Sequence, residues 1–171
     1  KGGSGADTLN FVSATGKAHT LDAGAGADTV ILSGDKAHSV TLGDGNDVVT
    51  FGAAATNVAN LAVTDTTEAK LITAAIKVTD FASGDKLSVG SAGTSKVALT
   101  GTQLADIADE ADLAAAITKA VSFGAAANGE TYAFAFKGNT YVYIDQDATA
   151  TAGVSANDGL VQLVGYTAEL S

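Results

Sequence analysis

The chain has 171 residues, 46% of them hydrophobic but only 6% aromatic, with 20 glycines, no proline, cysteine, methionine or tryptophan, and a formal charge of −10. Absence of cysteine excludes disulfides, thiolate metal sites and a cysteine nucleophile. An excess of 19 carboxylates over 9 basic side chains disfavours phosphate recognition, and so nucleic acid, and makes cations the natural partners. No apolar run approaches a membrane span, and the opening KGGSGADTLN lacks the apolar segment of a secretory signal peptide. It starts inside a glycine-rich string, as a piece of a longer chain would.

Three strings repeat from the N-terminus: Gly2-Gly3-Ser4-Gly5-Ala6-Asp7-Thr8-Leu9, Ala23-Gly24-Ala25-Gly26-Ala27-Asp28-Thr29-Val30 and Leu42-Gly43-Asp44-Gly45-Asn46-Asp47-Val48-Val49. Their aspartates are separated by 28 − 7 = 21 and 47 − 28 = 19 residues. The flanks recur as well, Lys17-Ala18-His19-Thr20 returning as Lys36-Ala37-His38-Ser39. Glycine permits left-handed backbone angles and close approach of carbonyls, and aspartate closes the turn with a hard oxygen donor. The β-branched and aliphatic residues that follow predict a short strand. Each unit therefore reads turn–strand–turn–strand, and stacking the units aligns their aspartates along one edge. Carboxylates stacked in this way repel by roughly a few kcal/mol, and a cation between turns reverses the sign. Hard carboxylate and carbonyl oxygens favour Ca²⁺ over softer metals.

These strings resemble the Gly-Gly-x-Gly-x-Asp nonapeptides of the repeats-in-toxin (RTX) family, whose signature goes with a Ca²⁺-binding parallel β-helix. Residues 2–10 fit fully, whereas Ala23 and Leu42 replace the first glycine. The opposite turns, Ser13-Ala14-Thr15-Gly16 and Ser33-Gly34-Asp35, are degenerate. The resemblance implies calcium bound by Asp7, Asp28 and Asp47 with the turns containing Gly3, Gly5, Gly24, Gly26, Gly43 and Gly45, and Asp44 is a further candidate within its turn. His19 and His38 are expected on adjacent turns. That placement suits either a transition metal or, as the commoner outcome, solvent-facing stacking.

Residues 52–60, GAAATNVAN, break the period and read as a connector. Ile76-Lys77-Val78-Thr79-Asp80-Phe81-Ala82-Ser83-Gly84-Asp85-Lys86-Leu87-Ser88-Val89 predicts strand, tight turn and strand. It resembles the strip that follows the repeats in many RTX proteins, including the C-terminal domain of serralysin-type proteases. Asp80 and Asp85 are secondary calcium candidates there, with shaping of the turn the alternative for Asp85. Residues 102–121 predict one amphipathic helix capped by Thr102, its apolar face built from Leu104, Ile107, Leu113, Ile117 and Val121. Asp106, Asp109, Glu110 and Asp112 crowd its first half, where the helix dipole favours acids. Residues 131–136 and 139–144 predict a hairpin across Lys137-Gly138. The tail resembles the terminal region of type I secreted RTX adhesins and surface-layer proteins, and Asp145, Asp147 and Asp158 are candidates for another calcium site.

The expected fold is thus mainly β: a short parallel β-roll or β-helix over residues 1–58, then a β-rich region over 59–171 with one helix near 102–121. The zinc-protease HExxH string, the GxSxG elbow and the phosphate-binding loop are all missing from the sequence, so catalysis within these residues is not expected. The resemblance implies a calcium-dependent structural and secretion module of an extracellular protein, a bacterial surface-layer protein or large adhesin. Such a chain is exported by a type I ABC transporter without an N-terminal signal peptide and folds on meeting Ca²⁺. Self-association in a surface lattice, or contact with cell-surface polysaccharide, would follow. The other role open to it is the secretion domain of an enzyme, a serralysin-type protease or lipase whose catalytic part lies elsewhere.

Overall fold

The computed structural model describes residues 1–12, 17–33, 37–51, 67–89, 95–125, 127–146, 154–155 and 158–170. Strands dominate it, joined by three helices among the described residues. The strands β1 (Thr8–Val12), β3 (Thr29–Ser33) and β5 (Val48–Phe51) alternate along the chain with β2 (Thr20–Ala25) and β4 (Ser39–Asp44). After helix α1 (Glu68–Ala74) come β6 (Ile76–Val78) and β7 (Lys86–Ser88). Of these seven, the odd-numbered strands form a parallel four-stranded sheet, β1-β3-β5-β7. Even-numbered strands β2-β4-β6 form one end of a seven-stranded sheet that continues through four later strands of the chain.

Period-two alternation explains why these segments pair as they do. Leu21 and Ala23, Val40 and Leu42, Val30 and Leu32, and Val49 and Phe51 all point inward and are fully or almost fully buried. They form one apolar cluster drawn from both sheets. The alternate positions, among them Thr20, Asp22, Thr29, Ile31, Thr41 and Thr50, face outward, where β-branched and polar side chains suit a pleated surface. The register is strict: Thr8 pairs with Thr29, Thr29 with Val48, Gly24 with Gly43, and Ala25 with Asp44. The glycine strings therefore stack directly upon one another.

The strip at 76–89 does not fold back on itself. Strand β6 joins β4 and β7 joins β5, so Val40 pairs with Val78 and Val48 with Lys86. Both offsets are 38 residues, 78 − 40 and 86 − 48, twice the 19-residue period. A fourth turn is thus added after an insertion one period long.

The expected hairpin forms between β9 (Glu130–Phe136) and β10 (Asn139–Ile144). Lys137 and Gly138 both have positive φ, 44° and 80°, as a two-residue turn matched to strand twist requires. Strand β11 (Gly159–Leu163) pairs antiparallel with β10 and parallel with β6, which welds the hairpin to the stacked strands. The short β8 (Ser95–Lys96) closes the sheet beside β9.

The single helix expected near 102–121 is two helices, α2 (Gly101–Ala108) and α3 (Leu113–Val121). Thr100, not Thr102, caps α2 in a reciprocal box with Gln103. Asp112 caps α3 by accepting the Ala115 N–H at 2.9 Å. An aspartate inside the acidic run is therefore a start signal, because its carboxylate competes with the helix for backbone donors. Ile107, Leu113, Ile117, Ala120 and Val121 pack with Leu71 of α1 and with Tyr132, Phe134, Tyr141 and Tyr143 in a second apolar cluster.

Candidate metal centre

Each glycine corner places its aspartate above the next. Asp28 Oδ1 accepts the Asp7 N–H at 2.8 Å, Asp47 Oδ1 accepts the Asp28 N–H at 2.7 Å, and Asp85 Oδ1 accepts the Asp47 N–H at 3.0 Å. One carboxylate oxygen per turn thus joins the backbone of the turn before it. The strand ladder starts at the same residues, with Thr29, Val48 and Lys86 donating their N–H groups to the carbonyls of Asp7, Asp28 and Asp47. The result is a column of four carboxylates running across the ends of the strands.

The second oxygens differ from turn to turn. Asp7 Oδ2 accepts the Gly3 N–H at 2.7 Å and Asp85 Oδ2 accepts the Ala82 N–H at 2.8 Å. Asp28 and Asp47 are buried, and the Oδ2 atom of each has no hydrogen-bond partner. Burial pushes the Asp47 carboxyl above its ordinary range; the Asp28 N–H pulls it back, and the charges of Asp85, Asp28 and Asp80 add to the rise. Two dry, unpartnered carboxylate oxygens on adjacent turns are costly unless a cation meets them.

Glycine is required at these corners by the close approach of successive turns. A Cβ on Gly24 would lie 2.2 Å from the Gly3 carbonyl oxygen, and one on Gly43 would lie 1.6 Å from that of Gly24. Gly26 and Gly45 stand in the same relation to the carbonyls of Gly5 and Gly26, at 2.3 and 1.8 Å. Main-chain oxygens therefore line the corner beside the carboxylates. Among the described residues no group of three His, Cys, Asp or Glu side chains is placed to hold one ion. Any ion in the column needs carbonyl oxygens to complete its shell, and an all-oxygen shell of 6–8 ligands is what Ca²⁺ takes. The donor set fits that ion.

No family model, curated protein or solved structure matches this chain.

The other sequence-derived candidates fall into separate places. Asp44 is exposed on the outer side of the third corner, and its carbonyl accepts the Gly26 N–H at 2.7 Å. Asp80 accepts from the Leu42 and Gly43 N–H groups, each at 2.8 Å, so its carboxylate stands where a further strand would present carbonyls. Asp85 ends the column. Asp158 is buried and accepts from the Tyr143 hydroxyl and from the Gln146 and Ser155 N–H groups. Asp145 is buried nearby, and Asp147 lies outside the described residues, as do the degenerate turns at 13–16 and 34–35. Sequence reading missed Glu130. It is a buried carboxylate beside this group that accepts the Tyr132 hydroxyl at 2.7 Å and the Ala125 and Ala127 N–H groups. That hydroxyl is held protonated, its pKa driven well up by burial and by Glu130. A glutamate starting a β-strand gave no signal beyond its dissonance with strand propensity.

His19 and His38 do sit on adjacent turns, with rings 5.6 Å apart and 5° from parallel. Parallel rings aim their lone pairs side by side rather than at a common point, so the pair is a stack.

Proposed function

We propose that strands β1–β7 form a calcium-folded β-roll and that the chain is a structural module of an extracellular protein. A bacterial surface-layer protein or large adhesin, exported by a type I transporter, is the host this reading favours. The observation that carries it is the pair of buried, unpartnered carboxylate oxygens on Asp28 and Asp47, stacked in register beside glycine carbonyls. Without a divalent ion the column opposes folding by charge repulsion. With the ion its binding free energy becomes folding free energy. Extracellular modules of this kind work at affinities of about 10⁻⁴–10⁻³ M, so the calcium outside a cell suffices and that inside does not. Continuity of the roll with the hairpin through the β6–β11 pair supports a load-carrying unit rather than a detachable tail. A lattice of copies, or polysaccharide on the cell surface, is the partner this role calls for.

The test is a Ca²⁺ titration of chelator-treated protein followed by far-UV circular dichroism and thermal melting. The wild type should gain β signal and melting temperature with Ca²⁺. Asp28→Asn removes one anionic oxygen and should weaken the calcium response by about tenfold, since charge count sets affinity at such sites. A titration that is flat for wild type, or identical for the variant, contradicts the assignment.

A further inference from the structure

The ends of the strands opposite the carboxylate column carry the stacked histidines. His38 is buried, and its Nδ1 accepts the His19 N–H at 3.2 Å. An acceptor nitrogen carries no proton, so this bond fixes His38 as the neutral tautomer protonated on Nε2. The strand ladder passes through the same two residues: Ser39 N–H donates to the His19 carbonyl at 2.9 Å and Lys77 N–H to the His38 carbonyl at 2.8 Å. Phe11 packs beside the pair from the first turn, its ring 5.8 Å from that of His19 and tilted by 41°. Three successive turns are thus tied at one point.

We propose that the His19–His38 pair is an acid-released latch on this side of the stacked strands. A proton on Nδ1 abolishes the His19 N–H bond, because donor then faces donor. It also places a charge in a site with almost no water and against a second imidazole. Burial, and then the charge of His19, already hold the His38 pKa below its ordinary value. The neighbouring elements bring no compensating anion among the described residues. From β6 the adjoining residues are Ile76, which is buried, and Lys77, which strand alternation turns to the outer face. Ala75 at the end of α1 is apolar, and Lys17 is exposed in the His19 loop. Among the described residues every charged group there is a cation, so protonation of His38 meets no anion among them.

The sign follows. A histidine whose folded pKa lies below its unfolded value of about 6.5 binds more protons when unfolded, so stability falls as pH drops through that window. The latch is closed above it and released below. This is independent of calcium at the opposite corners.

The experiment compares wild type with His38→Gln, a polar side chain that cannot titrate. Chemical unfolding is measured between pH 7.5 and 5.5, once in saturating Ca²⁺ and once in chelator. Relative to His38→Gln, the wild-type unfolding constant should rise on acidification, by no more than about tenfold per pH unit for a single proton. The difference should appear in both conditions, so a failure of the calcium reading leaves it intact. Titration of the His38 ring protons by NMR gives a second readout that needs no variant and should place the midpoint below that of free histidine. Parallel stability curves for the two proteins, or a His38 midpoint at or above the free value, overturn the proposal.

Discussion

At the scale of single residues, Asp28 and Asp47 hold the argument, because each does two opposed things. One oxygen accepts a backbone N–H of the preceding turn, which supports the fold, and the other is buried without a partner, which opposes it. Neutralising either residue should therefore change sign with conditions. In chelator, Asp28→Asn keeps an Oδ1 acceptor and loses a charge that sits about one strand spacing (~4.8 Å) from its neighbours. Relief of repulsion of about 1–2 kcal/mol should raise the melting temperature by roughly 5 °C. In saturating Ca²⁺ the same change should lower it, and a variant that melts lower in both conditions would show that the carboxylate is structural only. Protons test Asp47 in the same way. Its folded pKa lies above the unfolded one, so the native state binds more protons in that interval, and stability of the metal-free protein should rise as pH falls toward it. Saturating Ca²⁺, which needs the ionised form, should reverse that slope. Differential melting of wild type and Asp47→Asn in the His38→Gln background isolates the term.

At the scale of elements, the corners are set by backbone contact and the strands by alternation, and these were unequally legible. Three glycine strings at a steady spacing gave the register of β1, β3 and β5 directly, since Thr8, Thr29 and Val48 follow the aspartate in each. The fourth turn was hidden, because the insertion between Phe51 and Ile76 doubles the spacing and only Gly84-Asp85 survives of the string. Gly84 at φ 113°, with Asn46 packed over it, shows that the corner is built as before from fewer signals. The helix at 102–121 was legible as apolar period but not as two pieces, because Asp112 reads equally as a surface acid and as a cap. Nothing in the apolar pattern of β11 announced that it would lie parallel to β6 and antiparallel to β10. Glycines make the distinction between corner and surface measurable. Gly43→Ala sets a Cβ against the Gly24 carbonyl at a left-handed φ of 94°, and should cost about 3 kcal/mol or prevent folding. Gly101→Ala opens α2 with nothing within 4 Å and should be neutral or stabilising by about 0.5–1 kcal/mol. Denaturant midpoints of the two variants decide, and equal losses would refute stacking as the reason for glycine.

At the scale of the whole molecule, two apolar clusters share one sheet but depend on different forces. The first, between the two sheets, is roofed at one end by the carboxylate column and closed at the other by the histidine pair. The second packs α1, α2 and α3 on the tyrosine-rich face of β9 and β10, with no column beside it. A chain of charge −10 with 9 basic residues has little internal means of neutralising the column. Its ion pairs among the described residues lie elsewhere, joining Lys1 to Asp22, Lys119 to Glu110 and Lys137 to Glu68. On the proposed calcium-bound role, loss of the ion should therefore not loosen the molecule evenly. Amide hydrogen exchange reports local opening residue by residue, so it separates the two clusters in one measurement. On chelation, the corners at 23–28 and 42–47 should lose protection by more than tenfold, while β9, β10 and the α3 amides change far less. Strands β6 and β11 should behave as the boundary, since each pairs with both parts of the large sheet. Uniform loss of protection would mean that the hairpin and helices cannot stand without the stacked strands. Unchanged protection at the corners would mean that the carboxylates stack without an ion, and the metal-dependent reading of this fold would fall with it.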